Sequence, residues 1–131
     1  MYSLVVPVYK NESTLHQLLE RLDELSASLD GTLEVVFVID GSPDGSYALL
    51  RAELPKRAFD SELVLLSRNF GSFSAIRMGL MAAKGRFVAV MAADLQEPPE
   101  LVKEFFSVLR QEPVDIVMGV RSERDDPVTS K

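Results

Sequence analysis

Apolar runs and helically spaced stripes alternate along the whole chain. Leu4-Val5-Val6 predicts a strand that starts almost at the first residue. Leu15, Leu18, Leu19, Leu22, Leu25 and Leu29 then recur at the spacing of one helix face. Asn11 is placed to cap that helix and Gly31 to close it. Leu33 to Ile39 is nearly continuous and rich in β-branched residues, as suits a strand covered on both faces. Gly41-Ser42-Pro43-Asp44-Gly45 is dense turn chemistry. Tyr47, Leu50 and Leu54 predict a short helix that Pro55 ends. The cycle then repeats. A strand over 63–66 leads to a loop over 67–71 and a helix with Phe73, Ile76, Leu80 and Ala83 on its apolar face, broken before Gly85. A fourth strand over 87–91 leads through a loop over 92–99 to a helix that starts at Pro99, with a face of Leu101, Phe105 and Leu109. Val114 to Met118 reads as a fifth strand, and the segment from Arg121 to Lys131 is polar and unpatterned.

Strands alternating with helices predict a three-layer α/β/α sandwich around a mainly parallel sheet. The 131 residues form one domain on this reading. In open sheets of this kind ligands bind beyond the carboxyl ends of the strands. The polar residues just past each strand are therefore the candidates: Pro7, Tyr9 and Glu12; Asp40 and Asp44; Arg68 and Asn69; Asp94, Gln96 and Glu97; and Arg121.

Composition narrows the chemistry. A hydrophobic fraction of 47% beside 26% charged residues is that of a globular protein, which excludes intrinsic disorder. A net charge of −6 argues against non-specific nucleic-acid binding, which needs a basic footprint. The absence of cysteine excludes disulfides, thiol nucleophiles and cysteine-held metals, and a lone histidine, His16, excludes a multi-histidine site. No run is long and apolar enough to cross a membrane, and the first residues lack a secretory leader. The candidate rim carries several acids and few bases. A bare phosphate ester would be repelled there, whereas a divalent cation bridges carboxylate and phosphate oxygens. The rim therefore suits a metal–nucleotide ligand. Neither G-x-x-x-x-G-K-[ST] nor a G-x-G-x-x-G after the first strand occurs, so phosphate loops of those types are disfavoured.

Six segments together resemble the family 2 glycosyltransferases: Val5-Val6-Pro7-Val8-Tyr9-Lys10-Asn11-Glu12, Val38 to Ser46 with its Asp40-Gly41-Ser42-Pro43-Asp44-Gly45 core, Ser67-Arg68-Asn69-Phe70-Gly71, Gly79 to Gly85, Ala93-Asp94-Leu95-Gln96-Glu97-Pro98-Pro99-Glu100, and Met118-Gly119-Val120-Arg121. They stand in family order, and the polyprenyl-phosphate sugar synthases are the most similar branch. The resemblance implies a nucleotide-diphospho-sugar transferase, or type A glycosyltransferase, fold. It implies that residues 1–131 are its N-terminal, nucleotide-sugar-binding portion, truncated before much of the acceptor-side half and any C-terminal membrane helices. It implies an inverting transfer of sugar from a nucleotide-sugar donor to a polyprenyl-phosphate or glycan acceptor, with Mg²⁺ or Mn²⁺ as cofactor. Carried over residue by residue, Pro7, Tyr9, Glu12, Asp40, Arg68 and Asp94 take nucleotide-binding positions, and Asp94 and Gln96 take metal-side positions. Arg121 and Arg124 are candidates for donor or acceptor phosphate. No catalytic base is evident, and an anionic polyprenyl phosphate needs none.

One departure matters: Ala92 stands where the family's acid-x-acid-Leu-Gln motif has its first acid. This leaves a non-catalytic nucleotide-sugar-binding relative as an alternative. A receiver-type signalling domain is another, although the places of its acid pair and lysine hold Pro7-Val8-Tyr9 and Gly119-Val120-Arg121. Read singly, Asp40 can cap a turn, Asp94 can satisfy amides at a helix entry, and Arg121 and Arg124 can be solvated loop charges. The expected setting is the cytoplasmic face of a membrane, contacted through sequence outside this segment. The fragment is expected to be inactive alone, and an uncovered apolar side of the sheet invites self-association.

Overall fold

A computed structural model describes residues 1–112 of the chain. Four strands, β1 (Tyr2–Val8), β2 (Leu33–Asp40), β3 (Asp60–Leu66) and β4 (Phe87–Val90), form one sheet in the order β3-β2-β1-β4. Every pairing is parallel, with Val5 opposite Val36 and Val90, and Ile39 opposite Leu65. The helices are α1 (Glu12–Ser28), α2 (Ser46–Glu53), α3 (Ser72–Ala82) and α4 (Pro99–Gln111).

The side-chain alternation of the central strands sorts the helices into two layers. Leu4, Val6 and Val8 of β1 and Val35, Phe37 and Ile39 of β2 point to one side. There they pack with the leucine stripe of α1, Leu50 of α2, and Val102 and Phe106 of α4. Val5, Val36 and Val38 point to the other side, where Ala75 of α3 covers them. The three-layer α/β/α sandwich with a parallel sheet is thus present.

Local details depart from the sequence expectation in instructive ways. Asn11 sits at the N-cap of α1, but its side chain accepts the Tyr9 amide at 2.9 Å instead of capping the helix. Helix α1 ends at Ser28, before Gly31, where Leu29 turns extended. Helix α2 does end before Pro55, at Glu53, and the chain then tightens into a 3₁₀ turn, Leu54–Lys56. Strand β3 begins at Asp60, earlier than the apolar run, because β2 offers a paired partner as far back as Glu34.

Helix α3 exists where expected, but its buried face is Ala75 and Gly79, not Phe73 and Leu80. The helix axis lies so close to the sheet that only small side chains fit beneath it, and the large ones turn outward, Phe73 to 90% exposure and Met81 to 73%. In α4 the buried positions are Val102 and Phe106, one residue on from the expected Leu101, Phe105 and Leu109. Phe106 wins because its ring meets that of Tyr2 at 4.6 Å between centroids. The expected fifth strand over 114–118 lies outside the described residues. Among the described residues no helix is long and apolar enough to cross a membrane.

Gly79 gives a direct test of the α3 contact. A Cβ there would overlap Val5 Cγ1 and lie 3.2 Å from Val38 Cγ2. Both are stiff β-branched side chains in central strands. Gly79→Ala is expected to destabilise the fold by about 1–3 kcal/mol, although alanine is the better helix former by about 1 kcal/mol. The midpoint of a urea unfolding curve reads this out, and a stabilised variant would disprove the close contact.

Candidate functional site

The strand order reverses direction beside β1, since the chain adds β2 and β3 to one side and β4 to the other. The loops after β1 and β4 lead to helices on the same face and lie side by side at the carboxyl edge of the sheet, the edge at which open parallel sheets take ligands. A cleft of about 410 Å³ opens there, lined by Pro7, Tyr9 and Asn11 of the segment from β1 to α1, by Asp40 and Asn69, and by Asp94 after β4. Cross-braces hold the rim: the Met91 amide donates to the Val5 carbonyl at 3.0 Å, and the Thr14 hydroxyl to the Ala93 carbonyl at 2.7 Å. Two non-glycine residues on this rim, Lys10 and Leu95, have left-handed backbones with φ of 58° and 63°. Such conformations persist only where surrounding contacts hold them.

Asp40, at the end of β2, is 3% exposed. Its carboxylate accepts the amide of Phe70 on one oxygen at 2.8 Å and the amide of Gly71 on the other at 3.1 Å. The Asn69 side-chain amide donates to the Asp40 carbonyl at 3.2 Å. The buried charge thus organises the loop between β3 and α3 and is satisfied by it. Gly41 completes the junction. Its φ is 65°, and a Cβ there would overlap the backbone of Arg68 and Asn69. The Asp-Gly pair therefore lets one loop pass directly under another. Each carboxylate oxygen retains a further lone pair.

The remaining candidates divide. Pro7 and Tyr9 line the cleft, with Tyr9 41% exposed. Glu12 does not reach it: the carboxylate turns to the next loop and accepts the Gly45 amide at 2.9 Å. Arg68 is exposed and stacks its guanidinium over the Phe70 ring at 4.9 Å, away from the cleft lining. Asp94 lines the cleft and also a smaller adjoining recess of about 170 Å³ with Ala92, Gln96 and Glu97. Arg121 and Arg124 lie outside the described residues. Asn11, Gly71 and Ser72 line the cleft without having been singled out for binding. Asn11 carries a signal that its capping position obscured: it stands two residues after Tyr9 in the same post-strand loop. Gly71 and Ser72 enter only because Asp40 draws their loop in.

The recess tests whether a divalent cation fits. Asp94 Oδ1 accepts the Gln96 amide at 3.2 Å, which leaves the other oxygen and the Gln96 side-chain carbonyl as oxygen donors on an exposed edge. Ala92 offers none. Among the described residues no group of three or more acidic, histidine or cysteine side chains stands ready for a metal. One carboxylate and an amide oxygen suit a hard cation that takes its other ligands from substrate phosphate and water.

Asp44, in the loop after β2, titrates unusually low. Its partial burial favours the neutral form, but the Ser42 hydroxyl and the amides of Ser46 and Glu12 all donate to it. They outweigh burial and hold the carboxyl at about 2, below the ordinary 3.8.

A crevice of this kind, where the strand order of a parallel sheet reverses, is the ligand-binding position of an open α/β fold. The family model for Glycosyl transferase family 2 matches residues 3–131, and the chain belongs to that family. It is 38% identical over 124 residues to an undecaprenyl-phosphate 4-deoxy-4-formamido-L-arabinose transferase of Sodalis glossinidius, covering 95% of this chain and 38% of that one. It is 38% identical over 125 residues to the uncharacterized glycosyltransferase YkcC of Bacillus subtilis, covering 94% and 38%. The chain thus spans little more than a third of the length of these curated relatives. Among solved structures, the mannosyltransferase PcManGT of Pyrobaculum calidifontis, in complex with GDP-Man and Mn²⁺, superposes with a TM-score of 0.72 at 24% identity, over 86% of this chain and 32% of that one. S. aureus TarS 1–349 in complex with UDP superposes with a TM-score of 0.69 at 24% identity, over 84% and 32%. Family membership sets aside the receiver-domain alternative.

Two outcomes follow from the carboxylates. Asp40→Asn keeps the shape but sets an NH₂ group against a backbone amide, and is expected to cost about 1–3 kcal/mol in chemical denaturation. Asp44 has a depressed folded-state pKa, so its stabilisation is complete above pH 3.8 and is lost as pH falls through about 2. Because the group is partly solvated, Asp44→Ala is expected to remove about 1 kcal/mol at neutral pH and correspondingly less near pH 2. Unfolding midpoints measured against pH check both the size and the sign.

Proposed function

We propose that the protein is an inverting glycosyltransferase of lipid-linked sugar assembly, with residues 1–131 as its nucleotide-sugar-binding portion. The observation that carries this reading is the convergence of Tyr9, the Asp40 junction and Asp94 on one cleft at the switch point. The relatives that carry the name of undecaprenyl-phosphate sugar transferases support a polyprenyl phosphate as the acceptor.

On this reading the base and ribose lie along the Pro7–Tyr9 wall, and Tyr9 offers a partly exposed aromatic face for stacking. Asp40 keeps lone pairs for a donor on the base while its loop contacts stay made. The diphosphate extends toward Asp94 and Gln96, which would hold Mg²⁺ or Mn²⁺. Once bound, that cation would neutralise charge gathering on the departing nucleoside diphosphate. An acceptor phosphate oxygen attacks the anomeric carbon as the bond from that carbon to the donor phosphate breaks, and the electron pair leaves with the diphosphate. The nucleophile is already an anion, so no general base is required. The site of action is the cytoplasmic face of a membrane, where a water-soluble donor meets a lipid phosphate.

Ala92 favours a second reading, a relative that binds nucleotide-sugars without transferring them, because the carboxylate clamp is reduced to Asp94. A thermal-shift panel of UDP-, GDP- and dTDP-sugars with and without Mn²⁺ tests the donor site. One nucleotide is expected to stabilise the protein, more strongly with Mn²⁺. Asp94→Ala is expected to abolish the Mn²⁺ increment, weakening binding by about ten-fold or more. Transfer to undecaprenyl phosphate by the full-length protein separates the two readings. Binding without transfer, unchanged by Ala92→Asp, favours the second.

A further inference from the structure

We propose that Asp44 is a positioning residue that sets the nucleotide-binding wall by latching the loop after β1 to the loop after β2. This rests on the reading of the cleft as a nucleotide site, but assigns the affinity of that site partly to residues that do not line it.

The first loop divides by alternation. Tyr9 and Asn11 line the cleft, while the Lys10 backbone amide and the Glu12 carboxylate bond the second loop. The backbone amide of Lys10 donates to the Ser42 hydroxyl at 2.8 Å. That hydroxyl donates in turn to Asp44 Oδ1 at 2.5 Å. The Glu12 amide donates to Asp44 Oδ2 at 3.2 Å, and Glu12 Oε1 accepts the Gly45 amide at 2.9 Å. Asp44 also takes the Ser46 amide at 3.1 Å, which ties it to the start of α2. One carboxylate therefore collects donors from both loops, one of them relayed through Ser42.

The geometry explains why Lys10 keeps a left-handed backbone with φ of 58°. A lysine gains nothing from that conformation by itself, and the interloop bond from its amide holds it. Turning the chain there directs Tyr9 and Asn11 to the cleft. The second loop begins at Asp40, so the latch fixes the spacing between the Tyr9 wall and the Asp40 junction. A preformed wall binds a ligand without first ordering a loop, so loosening the latch weakens binding without removing a ligand contact.

Hydrogen exchange and nucleotide binding, both on the full-length protein, test this separately. In Asp44→Ala the amides of residues 9–12 are expected to exchange faster while residues 60–66 of β3 stay protected. The Kd of UDP or GDP, whichever binds in the presence of Mn²⁺, is expected to rise about five-fold. Ser42→Ala, which removes only the Lys10 arm, is expected to act in the same direction more weakly and serves if Asp44→Ala does not fold. In a Tyr9→Ala background the effect of the latch variants on Kd is expected to shrink, because latch and ring act as one unit. Unchanged exchange at 9–12 overturns the latch, whatever the nucleotide does. Faster exchange with unchanged Kd, or full additivity with Tyr9→Ala, overturns the positioning role. If neither UDP nor GDP binds the wild type while exchange still responds, the nucleotide reading fails, the positioning role falls with it, and the latch alone stands.

Discussion

Placing the buried carboxylate of Asp40 between two backbone amides is the constraint on which the cleft depends. A charge at the end of a central parallel strand is costly unless donors meet it, and the amides of Phe70 and Gly71 do so. Meeting it draws the loop before α3 across the end of β2. Gly41 then has to be glycine, because the backbone of Arg68 and Asn69 occupies the space a side chain would need. The floor of the cleft is therefore a consequence of satisfying one acid. A ligand that uses Asp40 meets an anion whose orientation is already set, so little reorganisation accompanies binding.

The two faces of the sheet are built on different terms. One buries long leucine side chains from α1 and aromatic rings from α4 and β1. The other is sealed by a helix that touches the strands through alanine and glycine. Close approach of backbone to sheet leaves the large side chains of α3 with no place beneath it. They form an apolar outer surface of Phe73, Leu80 and Met81 beside Arg77. The same feature that tightens one contact thus leaves an exposed apolar face on the outside of the helix.

The acids of the rim serve different ends despite their proximity in sequence motifs. Asp40 orders a loop, Asp44 joins two loops, and Asp94 accepts the Gln96 amide in its own loop while lining the recess. Of these, Asp94 alone is exposed in the manner of a cation ligand. On the proposed reading, a chain with Ala92 in place of a second carboxylate would draw the rest of a cation's coordination sphere from substrate phosphates and water. Metal affinity would then be tied to donor affinity.

Periodicity in the sequence was enough to determine the alternation of strands and helices, the parallel sheet and the edge at which the cleft opens. Two adjoining constraints produce this legibility: a doubly covered strand has to be apolar throughout, and a one-sided helix has to be striped. Motif order likewise pointed to Tyr9, Asp40 and Asp94 as residues of one rim. Which of two adjacent stripes of α4 faces inward, and which side of α3 is buried, were beyond that reading. Both depend on partners distant in the chain, Tyr2 for Phe106 and Val5 for Gly79. The same holds for the direction in which a loop side chain turns. Glu12 and Arg68 stand in motifs of the resemblance, yet one accepts the Gly45 amide and the other stacks on Phe70, and neither lines the cleft. Local pattern carries the period of a backbone, whereas the choice among neighbouring side chains is made only when separate segments meet.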